Sequence, residues 1–221
     1  VVYVPLESFT TYVETYSRWM GSAKIKISDF EEDYYIVDDE LIAYLGDSEE
    51  VSIPEGVKKI GAGAFQKNET ITKVVMSESV TTIGNYAFAS CTELESVELS
   101  SSVTQIGNSA FSKCSSLKQI GLPEGLESIG NSAFSDSGLM EISFPESLQT
   151  IGDSAFQYCD EMTGDLIIPD SVTSIGESAF NSCRSLNGQL KLSNSLTSIQ
   201  SGTFGYCENL TGDLIIPNNV K

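Results

Sequence analysis

The sequence predicts a mostly β solenoid of stacked repeats, and two observations lead to that fold class. One is a recurring phrase, Ile-Gly-x-x-Ala-Phe, which reads IGNSAF both at 106–111 and at 129–134. The other is a fixed period, because the closing phenylalanine of the phrase falls at residues 65, 88, 111, 134, 156, 180 and 204. Intervals of 22 to 24 residues are typical of a solenoid, in which each unit buries its apolar face only by stacking on its neighbours.

Each repeat is predicted to contain a short strand ahead of its phrase. In the unit at 117–123, Ile120 and Leu122 alternate with polar or small residues, which is the pattern of a half-buried strand. Pro123 then ends the strand, because proline has no N–H to donate to a sheet.

The phrase itself is predicted to be architectural. Its isoleucine would enter the core, and the Asn, Asp or Glu found in most copies suits the start of a short helical turn. On that turn Ala110, Phe111 and Cys114 would share one face, so the phenylalanines should stack as an internal spine. The glycine would supply a backbone angle that a side chain forbids. The glycines concerned are Gly84, Gly107, Gly130, Gly152 and Gly176.

All five cysteines stand three residues after a repeat phenylalanine, so they should form one column along the solenoid. Side chains that point the same way have poor geometry for disulfides, and cysteine is among the most buried residue types. We therefore expect buried free thiols rather than bridges. The column comprises Cys91, Cys114, Cys159, Cys183 and Cys207.

The first fifty residues do not repeat and are predicted to cap the solenoid. Apolar residues over Phe9–Met20 follow helical spacing, with Ser8 before them and Gly21 after, which indicates an amphipathic helix. The stretch 34–45 reads as a hairpin that turns at Asp38 and Asp39. An aromatic ligand site around Tyr16 and Trp19 is the alternative use of the helix.

The repeat unit, strand-Pro-x-x-Val-x-x-Ile-Gly-x-x-Ala-Phe-x-x-Cys, resembles the BspA-type leucine-rich repeat of bacterial surface proteins. The resemblance covers about Val51 to Val220, although the last unit departs from it with Gln200 and Thr203. It implies a right-handed leucine-rich-repeat solenoid with a parallel sheet on its concave side. It also implies an extracellular or cell-surface location and a protein-binding or adhesive role.

Two domains are therefore expected: a capping helix and hairpin over 1–50, and a solenoid of about seven repeats over 51–221. The chain starts with Val1 rather than Met, which predicts a processed or trimmed product. Residues 214–221 begin a further repeat and then stop, which predicts either a trimmed product or additional sequence beyond Lys221.

Charge and composition narrow the classes of partner. The 31 acidic residues outnumber the 12 Lys and Arg residues, so the net charge is −19. Such a surface repels phosphate backbones and anionic lipids, so we expect neither nucleic-acid binding nor binding to a membrane surface. No apolar run approaches the roughly 18 residues of a membrane span, so we expect no membrane insertion of this segment.

The sequence offers no catalytic or cofactor-binding motif. With no histidine in the chain, Ser-His and Cys-His nucleophiles are impossible. Phosphate-binding glycine loops, the H-E-x-x-H metal motif and D-x-D-x-D calcium loops are also absent from the sequence. We therefore predict a protein that is not an enzyme, with no catalytic residues, no cofactor and no metal site.

Binding is the function that remains, and the outward strand residues are its candidates. They form two columns on the expected concave sheet, in which Val75, Ile167 and Ile215 are apolar residues on a solvent-facing side. Isolated surface apolar residues are also common without function. The candidate binding residues are Lys73, Val75, Glu98, Gln119, Glu141, Asp165, Ile167, Gln189, Lys191, Asp213 and Ile215.

The sequence thus predicts a monomeric interaction or adhesion module for a protein or glycan ligand on a host or neighbouring cell. Two other functions stay open. One is a structural spacer or scaffold that carries another domain, and the other is a scaffold for a catalytic part elsewhere.

Overall fold

The structure, a computed structural model, describes Val2–Tyr3, Ile25–Lys26 and residues 33–221. The helix predicted over Phe9–Met20 lies outside the described residues. In chain order the strands of the described part are β1 (Val2–Tyr3), β2 (Ile25–Lys26), β3 (Tyr34–Val37), β4 (Glu40–Tyr44), β5 (Glu50–Ser52), β6 (Lys59–Ile60), β7 (Lys73–Val75), β8 (Thr82–Ile83), β9 (Ser96–Glu98), β10 (Gln105–Ile106), β11 (Ser128–Ile129), β12 (Thr150–Ile151), β13 (Leu166–Ile167), β14 (Ser174–Ile175) and β15 (Leu190–Lys191).

Eight strands form one sheet, the long sheet, in the order β14-β12-β11-β10-β8-β6-β4-β3. Every neighbouring pair in it is parallel except β3 with β4. Equivalent residues of successive repeats pair, so Ile106 lies opposite Ile129 and Ile129 lies opposite Ile151. The predicted solenoid with a parallel sheet is confirmed.

Two smaller sheets, the short sheets, come from the opening segments of the repeats. One contains β5-β7-β9 and the other contains β13-β15, all in parallel pairing. Between them, residues 119–121 and 141–143 form no strand. β1 and β2 pair with each other in a separate parallel sheet.

The predicted hairpin is present and extends the long sheet. Its turn holds Asp38 and Asp39 at φ values of 49° and 63°, the left-handed angles of a two-residue hairpin turn, which Asp tolerates. β4 pairs in parallel with β6. The ring of Tyr44 lies 5.2 Å from that of Phe65, so the hairpin also prolongs the aromatic core.

The phenylalanines form the predicted spine. Their ring centroids lie 4.8 to 5.7 Å apart, and the planes of neighbouring rings differ by at most 12°. Offset stacking of this kind adds to the stabilisation from burial. The five inner rings are fully buried, namely Phe88, Phe111, Phe134, Phe156 and Phe180.

The predicted helical turns are wrong, because the phrase folds as a succession of turns and residues 33–221 contain no helix. Ser109 and Lys113 have φ values of 54° and 62°, and left-handed residues four apart interrupt any right-handed helix. Successive backbone N–H groups donate alternately to a carbonyl of the same turn and to a carbonyl of the next turn. That of Ala110 donates to Gly107 within the turn, whereas that of Phe111 donates to Ala133 of the next turn.

The role predicted for the phrase glycines is also wrong. These glycines do not adopt left-handed angles; the fourth residue of each phrase does, whether it is Ser109, Tyr86 or Gly202. The glycines instead permit close approach of adjacent turns. A Cβ on Gly107 would lie 2.7 Å from the carbonyl carbon of Gly84, closer than atoms in contact can stand.

Candidate functional site

A groove of about 640 Å³ runs along the long sheet and crosses six successive turns of the solenoid. Five of its strands each contribute one outward polar side chain to the lining. This set, the groove column, comprises Thr82, Gln105, Ser128, Thr150 and Ser174.

Strand alternation explains why the groove has this lining. Ile83 is fully buried, and residues two apart in a strand share a face. Thr82 and Gly84 therefore both point away from the core. Because Gly84 has no side chain, backbone forms the groove surface beside Thr82.

A ladder of side-chain hydrogen bonds borders the groove. Asn85 Oδ1 accepts the backbone N–H of Asn108 at 2.8 Å, and Asn108 Oδ1 accepts that of Asn131 at 2.8 Å. Asn131 and Asp153 continue the pattern at 2.9 and 2.8 Å. The sequence predicts these residues at the start of helical turns, but they connect one turn to the next. Each Asn keeps its Nδ2 donor free of any hydrogen bond within the described residues.

The groove column has unused hydrogen-bonding capacity. Neighbouring threonines outside the groove are engaged, as when Thr81 Oγ1 donates to the Lys58 carbonyl at 3.1 Å. By contrast, none of the five column side chains makes a hydrogen bond to another described residue. These hydroxyls and the Gln105 amide are therefore available to a ligand.

The groove is almost uncharged in a strongly acidic protein. Lys59 and Asp153 are the two charged side chains among its lining residues, whereas the whole chain carries −19. Lys59 is paired, with its Nζ 3.0 Å from Glu40 Oε1. The groove thus presents hydroxyl and amide groups rather than an electrostatic potential of one sign.

The two columns of candidate binding residues predicted from the sequence lie elsewhere. They belong to the short sheets and to the corresponding segments between and beyond them, and none of them lines the groove. These residues therefore lie on a different sheet from the groove, and their role in binding stays a prediction. The sequence predicts the main sheet at the strand ahead of the proline, whereas the longest sheet forms at the Ile-Gly step.

The structure brings some of these residues together. Lys73 Nζ lies 2.7 Å from Glu98 Oε1, and this hydrogen bond raises the pKa of Lys73. Gln119 Nε2 donates to Glu141 Oε1 at 3.2 Å. The remaining members include Asp165, whose Oδ1 accepts the backbone N–H of Gln189 at 2.7 Å.

The apolar members differ in exposure. Ile167 lies directly opposite Lys191 in the β13-β15 pair, and its side chain is 53% exposed. Ile215 is 77% exposed, whereas Val75 is half-buried. Asp213 is exposed beside Ile215 at the last turn.

The sequence does carry a signal for the groove column. In five successive repeats, a Thr, Ser or Gln stands directly before the isoleucine of the phrase. Such residues resemble ordinary surface positions when read one at a time, and only the sheet register shows that they share one groove.

The cysteine column is confirmed as free thiols. Each Sγ lies 3.0 or 3.1 Å from the carbonyl oxygen of a phenylalanine in the preceding turn, to which it donates. Burial raises the pKa of Cys114 and of Cys159 to about 12, which makes them poor nucleophiles. Four thiols are buried as predicted, but Cys207 in the last turn is only half-buried.

The described residues contain no cluster of three or more His, Cys, Asp or Glu side chains that could hold a metal ion. Among the same residues, no helix has the length and apolar character needed to cross a membrane.

Stacked turns of 22 to 24 residues, an aromatic spine and a parallel sheet define a leucine-rich-repeat solenoid. The profile of the BspA type leucine rich repeat region matches residues 37–163 and 163–221, with six copies. The chain therefore belongs to the BspA-type leucine-rich repeat family, as the resemblance in sequence indicated. No curated protein matches it in sequence.

Solved structures of bacterial proteins show the same fold. A leucine-rich repeat protein from Bacteroides ovatus ATCC 8483 is 31% identical, with a TM-score of 0.75 over 87% of this chain and 54% of that one. A leucine rich repeat protein from T. pallidum is 29% identical, with a TM-score of 0.57 over 84% of this chain and 79% of that one. This chain thus spans about half the length of the Bacteroides protein.

Proposed function

We propose that this protein is a non-enzymatic interaction or adhesion module that acts at a cell surface or after secretion. It binds a protein or glycan on a host or neighbouring cell through the two columns of candidate binding residues, which lie on the short sheets and on the segments between and beyond them. Membership of a repeat family typical of interaction modules supports this function. The observation that carries it is the exposure of Ile167, an aliphatic side chain that is 53% exposed on the outward side of β13.

The chemistry of this face favours a protein among those ligands. Ile167 stands opposite Lys191 in register, so an aliphatic contact and a charge lie side by side. Protein interfaces combine apolar contacts with polar and charged groups at the rim. Sheet residues are also pre-organised, so binding costs little conformational entropy.

The test is a binding screen against immobilised matrix proteins and cell-surface glycans, followed by the double variant Ile167→Asp with Lys191→Glu. Because both side chains are exposed, the melting temperature should hardly change while binding weakens severalfold. Lys113→Glu, an exposed lysine outside both columns, serves as the matched control. Binding that survives the double variant, or falls equally with the control, contradicts this binding face.

A structural spacer is the second candidate, and the uninterrupted aromatic stack from Tyr44 to Phe204 favours it. The stack links each of these turns to its neighbours, which suits a spacer. A spacer would retain none of the screened ligands, so the same screen separates the two functions.

A further inference from the structure

The groove of the long sheet plays no part in the function proposed above. It lies on a different sheet from the predicted columns, and it holds five polar side chains with no internal partner. Side chains of equivalent residues recur once per turn, because the strands pair in register. A ligand that fits this array must offer hydrogen-bonding groups with the same period.

The period argues against an extended peptide along the groove. The phenylalanine ring centroids of successive turns lie 4.8 to 5.7 Å apart, and this distance gives the spacing of the turns. A peptide strand advances about 3.3 Å per residue and presents like-facing side chains every second residue, at about 7 Å. Its groups would fall out of step with the groove column within a few turns. In an extended β-1,4-linked pyranoside chain, each ring advances the chain by a distance comparable to one turn of the solenoid. Alternate rings face opposite ways, so like hydroxyls recur every second turn and stay in step with the groove column.

The chemistry of the lining favours an uncharged ligand. The groove column supplies hydroxyls from Thr82, Ser128, Thr150 and Ser174, each able to donate and accept. The bordering ladder adds amide donors, because the Oδ1 of each Asn is already engaged with the next turn. The net charge of −19 on the chain repels polyanions.

We propose that the groove binds a neutral linear glycan that lies along the solenoid axis, with about one sugar ring per turn over as many as six turns. The column hydroxyls and the Asn Nδ2 groups bind the sugar hydroxyls. No aromatic side chain is among the lining residues, so recognition depends on repeated hydrogen bonds and affinity rises with chain length.

The test is calorimetry of the whole protein with β-1,4-linked oligomers of glucose, xylose and mannose, from dimers to hexamers. Hexagalacturonate is the anionic control. We expect at least one neutral series to bind, with affinity that grows from dimer to hexamer, and no binding of the anionic hexamer. Thr150→Val removes one hydroxyl at nearly constant shape and should weaken binding about threefold to tenfold.

A pair of variants assigns the binding to the groove. Ser128→Tyr places a ring in the groove and should abolish glycan binding, whereas Ser143→Tyr adds the same bulk at an exposed residue outside it and should leave binding unchanged. Melting temperatures establish that both variants fold. The proposal is overturned if no neutral hexamer binds, if the anionic hexamer binds equally well, or if Ser128→Tyr binds like the parent. Because Ser128 lies outside the short sheets, loss of the short-sheet ligand with Ile167→Asp and loss of the glycan with Ser128→Tyr report on separate proposals.

Discussion

Two segments with the same seven residues, TGDLIIP, differ in burial because they occupy different places in the solenoid. They span 163–169 and 211–217. In the first, Leu166 is fully buried, whereas the equivalent Leu214 in the second is 57% exposed. Burial in a solenoid is therefore a property of the neighbouring turns and not of the local sequence.

The aromatic spine shows the same contrast. Phe180 stacks on Phe156 at 5.1 Å and on Phe204 at 5.7 Å, and it is fully buried. Phe204, in the last complete turn, is only half-buried. Among the described residues, Phe180 thus has ring contacts on both sides, and Phe204 has a ring contact on one side.

The largest difference in the free energy of unfolding is expected for substitutions in the phenylalanine spine. Phe134→Ala removes a fully buried ring that stacks on two neighbours, and it should lower the free energy of unfolding by about 3–5 kcal/mol. Phe204→Ala should cost less than half as much, because the ring is partly exposed. Urea unfolding of both variants measures the difference, and equal losses would contradict the comparison.

The repeated segment offers a matched pair of leucines. Leu166→Ala should destabilise the protein by about 2–5 kcal/mol through lost burial and the cavity left behind. Leu214→Ala has the same flanking residues but should change stability by less than about 1 kcal/mol, since its side chain is exposed. Chemical denaturation under one set of conditions compares them. If Leu214→Ala proved as costly as Leu166→Ala, neighbouring turns could not be the source of the burial.

A third pair tests close approach between interior turns. An added Cβ at Gly130 would lie 2.7 Å from the backbone nitrogen of Asn108, so Gly130→Ala should cost about 1–3 kcal/mol through overpacking. Gly121→Ala is the control, because a Cβ there meets no atom within 4 Å. Thermal unfolding should show a clear loss for the first variant and nearly none for the second.

The smallest expected difference between interior and final turns is in the reactivity of the cysteine thiols. Cys207 should be the first cysteine to react with a thiol reagent in the native protein, and Cys114 and Cys159 should react only after unfolding. Mass spectrometry of partially labelled protein identifies the order. Rapid native labelling of Cys114 would contradict the burial of the column.

The same burial predicts a dependence on alkaline pH. The pKa of Cys114 is raised to about 12 in the folded protein, above the value of about 8.5 for an unfolded thiol. Above about pH 8.5 the unfolded chain therefore releases the proton that the folded chain keeps, and stability falls as pH rises toward 12. Cys114→Ala should flatten part of this decline in urea titrations between pH 8 and 10.

The sequence predicted the features that depend on stacking. The period identified the solenoid, the position of Phe111 in its repeat predicted the spine, and Asp38-Asp39 marked the hairpin turn. These inferences succeeded because burial recurs at fixed positions when identical units stack.

The sequence did not distinguish short helical turns from the succession of non-helical turns that the phrase forms. The spacing of Ala110, Phe111 and Cys114 fits both, and the two differ only in the backbone angles of Ser109 and Lys113. Neither residue type requires a left-handed angle. The groove was missed for a related reason, because Ser128 and Thr150 look like ordinary polar surface until the sheet register aligns them.

The unbroken register of the long sheet determines where the repeats can accept insertions and deletions during evolution. Strands separated by 22, 23 and 24 residues all pair without a shift, as Ser128 with Thr150, Gln105 with Ser128, and Thr150 with Ser174. The short sheets, by contrast, are interrupted around the 22-residue unit. Insertions and deletions are therefore absorbed on one side of the molecule while the other keeps its spacing. A lineage could remodel the short-sheet side freely and still inherit the groove intact.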